Sequence, residues 1–180
     1  MNQPLQFRKA YISFGANLPF ANNDPAATLC TALRALDEHD LQLVQCSSLW
    51  SSPAWPNPND PPFVNMVAGF MSHLSPLRLL NQLGRMETRF GRVRGVRNAP
   101  RTLDLDLIAY GQLQCATERV MLPHPRATER AFVLLPLAEV APNWIHPKTG
   151  VKISKLIDAL AINDRKSTKV IKAVQIDIAK

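Results

Sequence analysis

The chain has 180 residues, 46% of them apolar, so it can form one domain with a sizeable core and falls short of the length at which chains usually divide. This composition excludes a disordered or low-complexity protein. The 21 Lys and Arg exceed the 14 Asp and Glu, and the resulting net charge of +7 predicts an anionic partner.

The first half of the chain predicts strands alternating with helices. A strand over residues 10–14 precedes a turn at 15–17, and Asp24-Pro25 starts a helix over residues 25–38. Residues 41–50 are rich in β-formers and predict a second strand, and five prolines between positions 53 and 62 predict a stiff loop. Residues 63–71 alternate as a third strand, so Phe63 and Asn65 share a face beside that loop.

The second half begins with a helix that Ser75-Pro76 opens and Gly91 ends, followed by an arginine-rich loop. Residues 103–110 predict a strand, and Gly111 turns toward a hairpin partner around residues 118–122. Further helices are predicted over residues 129–140 and 151–160.

The order strand, helix, strand, strand, helix, strand predicts an α+β, ferredoxin-like (split βαβ) sandwich. We expect a mainly antiparallel sheet with an appended hairpin and C-terminal helices. Residues 1–160 are expected to form one domain, and residues 161–180 a C-terminal extension that is either an edge strand or a flexible tail.

The basic residues fall into two groups of different composition. All nine bases between residues 85 and 130 are arginine, which favours bidentate binding of phosphate or carboxylate. A solvated basic face, the alternative, would usually mix arginine with lysine. Residues 146–180 hold eight bases, mostly lysine, and three acids, and here a solvated surface is the favoured interpretation.

The three cysteines, Cys30, Cys46 and Cys115, form no CxxC pair, so we expect reduced thiols that act as small buried hydrophobes. The N-terminus lacks the apolar run of a secretory signal, and no stretch is long enough to span a membrane. We therefore expect a cytoplasmic protein without a membrane partner.

The segment RTLDLDLI at residues 101–108 carries the strongest chemical signal. Strand alternation places Asp104 and Asp106 on one face and leucines on the other. Paired carboxylates suit magnesium, which takes one or two of them and completes its shell with water and phosphate oxygens. The alternative is a solvent-facing strand whose polar positions happen to be Asp, but Asp is depleted in strands. Neither GxxxxGK[ST] nor GxGxxG occurs, so phosphate would be held by side chains.

RNAPRTLDLDLI at 97–108, together with FGANL at 14–18, FVN at 63–65, GRVR at 91–94, LPH at 122–124 and RAF at 130–132, resembles the 6-hydroxymethyl-7,8-dihydropterin pyrophosphokinase family of folate biosynthesis. The resemblance runs from about residue 9 to residue 160 of the printed sequence. It implies a ferredoxin-like fold and transfer of the β,γ-pyrophosphate of ATP to the pterin hydroxymethyl group, with release of AMP.

The resemblance also assigns site residues. It makes Asp104 and Asp106 the ligands of two Mg²⁺ ions, and Arg92 and Arg101 the arginines that act on the transferring group. The implied ATP-binding residues are Glu87, Arg94, Asp104, Asp106, Leu107, Arg119, His124 and Arg130. The implied pterin-binding residues are Ser52, Pro53, Trp55, Phe63, Asn65, Asp104 and Phe132.

Some of these residues have a simpler interpretation, and some positions depart from the family pattern. Taken alone, Phe63 and Phe132 would more often be core residues, and His124 a turn histidine held by its flanking prolines. Many relatives carry an aromatic residue where this chain has Asn98 or Pro125. We expect these departures to affect affinity and rate rather than the type of reaction.

The positive charge leaves a second class of function open, a nucleic-acid-binding ferredoxin-like module. Only 7% of residues are aromatic, and the strands show no pattern typical of RNA binding. A pterin-binding homologue with weak transfer activity is a third possibility. The leading hypothesis predicts a monomer with ATP and the hydroxymethyl dihydropterin as small-molecule substrates, and no nucleic acid or membrane partner.

Overall fold

The computed structural model describes residues 7–37, 40–93, 95 and 99–174. The elements in chain order are β1 (Arg8–Ala16), α1 (Pro25–Leu36), β2 (Leu41–Cys46), β3 (Leu49–Ser52), β4 (Phe63–Ser72), α2 (Pro76–Arg89), β5 (Asp104–Tyr110), β6 (Cys115–Ala116), β7 (Met121–Leu122), a 3₁₀ turn (Ala127–Glu129), α3 (Ala131–Val140), α4 (Ile153–Ala159), α5 (Ile162–Ser167) and β8 (Lys169–Lys172).

The main sheet has the order β5-β1-β4-β3-β8, with β2 also paired to β4, and every pair in it is antiparallel. The predicted mixed α and β fold with an antiparallel sheet is therefore confirmed. The first helix was predicted to reach residue 38 but ends at Leu36, where Asp37 forms the C-cap.

Alternation along β1 divides the core into two layers. Ile12 and Phe14 are fully buried in a cluster with the apolar faces of α1 and α2. Tyr11 belongs to a second cluster, on the opposite face, with α3 and α4. Helices thus cover both faces of the sheet. On the face where α3 packs, part of the sheet stays uncovered.

The strand predicted over residues 41–50 is in fact two strands, separated at Ser47 and Ser48. The hydroxyl of Ser47 accepts from the backbone N–H of Val67 (3.0 Å), and the carboxylate of Glu139 accepts from the backbone N–H of Ser48 (2.6 Å). These contacts redirect the chain, so that β2 pairs with one end of β4 and β3 with the other.

The predicted hairpin partner of β5 is also wrong. Met121–Leu122 pairs with Cys115–Ala116 instead, in a separate two-stranded sheet. Thr117 closes this hairpin, since its hydroxyl accepts from the backbone N–H of Val120 (3.0 Å). The chain then returns to β5, where the backbone N–H of His124 donates to the carbonyl of Ile108 (2.8 Å).

Two smaller features differ from the sequence expectation, and the expected lack of a membrane-spanning segment is met in the described residues. Gly15 and Ala16 are the last residues of β1 and not part of a turn. The three cysteines are unpaired and half-buried rather than fully buried. Within the described ranges, none of the helices has the length and apolar character needed to cross a bilayer.

Helix α2 provides a test of the packing. Leu83 is 1% exposed, whereas Leu77 on the same helix is 38% exposed. We expect Leu83→Ala to lower the free energy of unfolding by about 2–5 kcal/mol, because it removes contacts and leaves a cavity in the core.

Urea denaturation followed by circular dichroism measures this difference. Leu77→Ala is the matched control and should cost less than about 1 kcal/mol. Equal losses for the two variants would contradict the described packing of α2.

Candidate active site

Two cavities meet at Arg101, Asp104 and Asp106, which line both of them. The first, of about 350 Å³, lies on the α3 face of the sheet. It is also lined by Ser13, Gly15, Ser52, Pro53, Ala54, Trp55, Phe63, Asn65, Arg126, Glu129, Arg130, Ala131, Phe132, Asp164, Ser167 and Thr168. The second, of about 540 Å³, is also lined by Leu80, Gly84, Glu87, Arg92, Val93, Gly95, Ala99, Pro100, Leu105 and Arg119.

The alternation of β5 places the two carboxylates at this junction. Asp104 and Asp106 face the cavities, while Leu105 and Leu107 are 5% and 2% exposed and belong to the core. Because the core holds the leucines, β5 cannot rotate or slip by one residue without burying a carboxylate among apolar side chains.

Asp104 is held by two arginines from different parts of the chain. Arg92 donates from Nη1 to Oδ1 (2.5 Å), and Arg101 donates from Nη1 to Oδ2 (3.1 Å). Arg92 also pairs with Glu87. Burial alone would lower the pKa of Arg92, but Asp104 and Glu87 raise it overall, so the guanidinium stays charged.

Glu87 links α2 to β5. Its Oε1 accepts from the backbone N–H of Leu105 (2.9 Å), and the residue is 6% exposed. Burial raises the pKa of Glu87, while the Leu105 N–H and the Arg92 guanidinium oppose that rise. The Glu87 carboxylate therefore holds the Arg92 guanidinium in place at the wall of the second cavity.

Asp106 has a different set of partners. Arg130 donates to its Oδ2 (3.4 Å), and Nε2 of His124 lies 3.9 Å from the same oxygen. Burial and the neighbouring Asp104 raise the pKa of Asp106, and His124 and Arg130 oppose them. Burial lowers the pKa of His124, so its ring is mainly neutral at pH 7.

Among the residues that the structure describes, the ion-paired charges at the junction are balanced. Three carboxylates, Glu87, Asp104 and Asp106, face three guanidinium groups, Arg92, Arg101 and Arg130. The buried Nε of Arg101 has no hydrogen-bond partner among the described residues. A polyphosphate entering this region would add several negative charges, so it would need further cations to accompany it.

The carboxylates fit magnesium as such a cation. Asp104 and Asp106 present neighbouring carboxylate oxygens, and Mg²⁺ prefers oxygen ligands. No cluster of three or more His, Cys, Asp or Glu suited to a metal occurs in the described part of the chain. The donor set is therefore that of an ion which keeps water molecules and binds substrate phosphates, and not that of an all-protein cage.

Two aromatic rings line the first cavity, and an arginine guanidinium lies over each of them. The guanidinium of Arg101 lies 5.5 Å from the centre of the Phe63 ring, and that of Arg130 lies 5.6 Å from the centre of the Phe132 ring. The same arginines contact Asp104 and Asp106. The rings and the charged junction are thus joined through these two side chains.

The floor of the first cavity is polar and has room for a flat ligand. Asn65 donates from Nδ2 to the hydroxyl of Ser52 (3.0 Å), and both residues are buried. A Cβ atom at Gly15 would lie 3.4 Å from Oδ1 of Asn65 and 3.9 Å from Asp104 and from Phe63. The missing side chain of Gly15 therefore leaves open the space between the amide, the carboxylate and the ring.

The structure brings together most residues that the sequence singled out. All seven residues of the implied pterin set, Ser52, Pro53, Trp55, Phe63, Asn65, Asp104 and Phe132, line the first cavity. Glu87, Arg92 and Arg119 line the second cavity, and Arg130 lines the first. His124 lines neither cavity but lies beside Asp106, and the side chain of Leu107 is in the core. Arg94 and Asn98 lie outside the described residues.

Asn17 is a structural residue of the site that sequence reasoning missed. It is 3% exposed, its Oδ1 accepts from the backbone N–H of Arg101 (2.7 Å), and its Nδ2 donates to the carbonyl of Pro61 (3.1 Å). Its amide thereby fixes the segment that carries Arg101 against the proline-rich loop. The available signal was its place in FGANL, directly after β1.

Comparisons with known proteins point to one family. Residues 11–142 match the family model described as 7,8-dihydro-6-hydroxymethylpterin-pyrophosphokinase (HPPK). The 2-amino-4-hydroxy-6-hydroxymethyldihydropteridine pyrophosphokinase of Synechocystis is 40% identical over 86% of this chain and 77% of its own. The enzyme of that name from Haemophilus influenzae is 38% identical over 89% of this chain and 97% of its own.

Solved structures support the fold. A crystal structure of wild-type Plasmodium falciparum HPPK-DHPS has a TM-score of 0.66 at 12% identity, covering 85% of this chain and 41% of that one. The A437G/K540E variant with pterin and p-hydroxybenzoate has a TM-score of 0.70, also at 12% identity, covering 92% of this chain and 47% of that one. This chain thus spans less than half of those proteins, and at such identity the likeness concerns the fold alone.

Substitution of Asn17 tests its part in the site. We expect Asn17→Ala to lower the free energy of unfolding by about 1–3 kcal/mol, because it removes two hydrogen bonds of a buried amide, one from the Arg101 N–H and one to the Pro61 carbonyl. Chemical denaturation gives the value directly.

Asn57→Ala is the matched control. The side chain of Asn57 also makes two hydrogen bonds, to Asp60 and Asn59, but it is exposed. It should cost less than about 0.5 kcal/mol. A loss at position 17 no larger than that at position 57 would refute the proposed role of Asn17.

Proposed function

The chain belongs to the 7,8-dihydro-6-hydroxymethylpterin-pyrophosphokinase family, and we propose that it transfers pyrophosphate from ATP to 6-hydroxymethyl-7,8-dihydropterin. The products are AMP and the pterin diphosphate, which makes the protein an ATP-dependent transferase of folate biosynthesis. The observation that carries this proposal is the meeting of two cavities of different chemistry at Asp104, Asp106 and Arg101.

The first cavity suits the pterin. A pterin is a flat bicycle, and Phe63 and Phe132 offer rings for its faces. Asn65 supplies both a donor and an acceptor, which matches the mixed polar edge of the ring. The hydroxymethyl group would then point toward Asp104, at the end of the cavity that opens on the junction.

The second cavity suits ATP. Arg92 and Arg119 line it, together with Arg101 at the junction. Their planar, permanently charged groups can bind phosphate oxygens in pairs. Glu87 borders the same cavity on α2, close to where the resemblance places the adenosine.

Transfer requires the pterin hydroxyl oxygen to form a bond to the β-phosphorus of ATP while the bond from that phosphorus to the α,β-bridging oxygen breaks. AMP leaves with the bridging oxygen, and the hydroxyl loses its proton. Phosphoryl transfer depends chiefly on positioning and charge stabilisation, so the protein need supply little covalent chemistry.

Arg92 and Arg101 supply that stabilisation from fixed positions. Both contact Asp104, so their guanidinium groups are held at the junction. Preorganised donors of this kind act without reorganisation when charge develops on the transferring group. Asp104 and Asp106 would hold two Mg²⁺ ions, whose chemistry when bound is to neutralise the ATP phosphates.

The proposed function includes a ferredoxin-like fold and a catalytic domain formed by residues 1–160. The order β5-β1-β4-β3, with α1 and α2 in the two crossings, supports a ferredoxin-like arrangement. We also propose that residues 1–160 form the catalytic domain, in line with the family match over residues 11–142.

The nucleic-acid-binding alternative is not favoured. It would need aromatic side chains exposed on the sheet among basic residues. Phe63 and Phe132 instead line a cavity, and the named relatives are pyrophosphokinases.

The two carboxylates provide the direct test of the proposed chemistry. We expect Asp104→Ala and Asp106→Ala each to lower kcat by about 100-fold or more, because each removes charge that would hold magnesium. The affinity for the pterin should change less. The assay separates AMP from ADP after incubation with ATP, Mg²⁺ and the hydroxymethyl dihydropterin.

Asp158→Ala is the control, since Asp158 is 64% exposed on α4 and lines neither cavity. It should leave the rate unchanged. Formation of ADP alone by the wild type would refute the proposed reaction, and near-normal activity of Asp106→Ala would refute its role.

Gly15→Ala tests the floor of the first cavity. The added methyl group would lie against Asn65, Asp104 and Phe63 and reduce the space for the pterin. We expect the KM for the pterin to rise about tenfold, a cost typical of overpacking, with the KM for ATP unchanged.

The matched control is Gly69→Ala, in β4. A Cβ there would contact Tyr11, Gln45 and Lys9 at 3.5–3.7 Å, and Gly69 lines neither cavity. If both variants kept the wild-type KM for the pterin, Gly15 would not form the floor of its site.

A further inference from the structure

A segment outside the family match forms one wall of the first cavity. The match ends at residue 142, whereas Asp164, Ser167 and Thr168 all line this cavity. They belong to α5 and to its junction with β8. The cavity is therefore completed by residues that the resemblance does not cover.

Pairing between β8 and β3 brings this segment to the site. Ser51 pairs with Lys169 in antiparallel register, so the preceding residue, Thr168, comes opposite Ser52. Residues opposite each other on paired strands share a face. Thr168 accordingly lines the same cavity as Ser52, beside the hydrogen bond between Ser52 and Asn65.

The turn before β8 is fixed by its own hydrogen bonds. The carbonyl of Asp164 accepts both from the hydroxyl of Ser167 (3.2 Å) and from the backbone N–H of Thr168 (3.2 Å). With β8 paired on one side and this turn on the other, the backbone of Thr168 is held in place.

The hydroxyl of Thr168 has no hydrogen-bond partner among the residues that the structure describes. The residue is only 6% exposed, and its side chain makes no hydrogen bond with any other described residue. A hydroxyl that no protein group engages can hydrogen-bond with water or with a bound ligand. Because Thr168 lines the first cavity, a bound ligand is in position to be that partner.

The sheet order indicates which part of the ligand is near. Transfer takes place at Asp104 on β5, and β3 and β8 lie three and four strands away, about 14 and 19 Å at the usual strand spacing. A pterin whose hydroxymethyl group points to Asp104 turns its pyrimidine edge toward β3 and β8. That edge carries N–H donors and a carbonyl acceptor, and a hydroxyl can pair with either.

We propose that Thr168 is a substrate-binding residue, whose hydroxyl hydrogen-bonds the pyrimidine edge of the pterin. This inference rests on the proposed function, because it takes the ligand of the first cavity to be the pterin. It assigns part of substrate recognition to the C-terminal segment, which positions Thr168 through β8.

The test compares the full-length wild type with Thr168→Val, which keeps the shape of the side chain but removes its hydroxyl. We expect the KM for the pterin to rise about tenfold, the effect of one lost hydrogen bond to a buried polar group. The kcat and the KM for ATP should stay unchanged. A fluorescence titration of the pterin without ATP should show the same loss of affinity.

Two further variants separate recognition from packing. Thr168→Ser keeps the hydroxyl and should restore most of the affinity, whereas Thr31→Val, at an exposed position on α1, should behave as the wild type. The thermal unfolding midpoint of Thr168→Val should match that of the wild type.

The outcomes distinguish the two proposals. If the wild type binds the pterin but produces no AMP, the proposed reaction fails while the titration still measures Thr168. An unchanged pterin affinity in Thr168→Val, or equal losses in the Val and Ser variants, would overturn the role of Thr168. So would a wild type that does not bind the pterin.

Discussion

The site depends on the carboxylate of Asp104, which two arginines contact at the same time. Arg92 follows α2 and Arg101 directly precedes β5, so this one group joins both ends of the intervening loop to the sheet. Burying charge is costly unless it is paired, and here Glu87 and Asp104 compensate Arg92 from two sides. The cluster of charges therefore fixes the geometry of the junction before substrates arrive.

The sheet distributes the substrates around this junction. Alternation along β1 and β5 sends Ile12, Phe14, Leu105 and Leu107 toward α1 and α2, and sends Gly15, Asp104 and Asp106 toward α3. At the N-terminus of α3, the sheet face stays open and forms the first cavity. The second cavity lies on the other side of the same carboxylates, between α2 and the arginine-rich loop. The strand β5 thus lies between the two cavities and carries Asp104 and Asp106, which line both of them.

Features with a local cause could be predicted from the sequence, and features with a long-range cause could not. The shared face of Asp104 and Asp106 follows from the two-residue period of any strand. The break at Ser48 depends on Glu139, which lies 91 residues away. Gly15 indicates a turn in the sequence, yet in the structure it ends a strand and opens a cavity. Thr168 could not be found either, because the pairing of β8 with β3 places it there.

The lysines of β8 have a consequence for the behaviour of the protein in solution. β8 lies at one edge of the main sheet, and its Val170 and Ile171 are 53% and 54% exposed. Such an edge can recruit a strand from another molecule and grow into aggregates. Lys169 and Lys172 enclose the two apolar residues, so a second copy would bring like charges together. The lysines of β8 thereby reduce aggregation through this edge strand, which directly follows Thr168 in the wall of the first cavity.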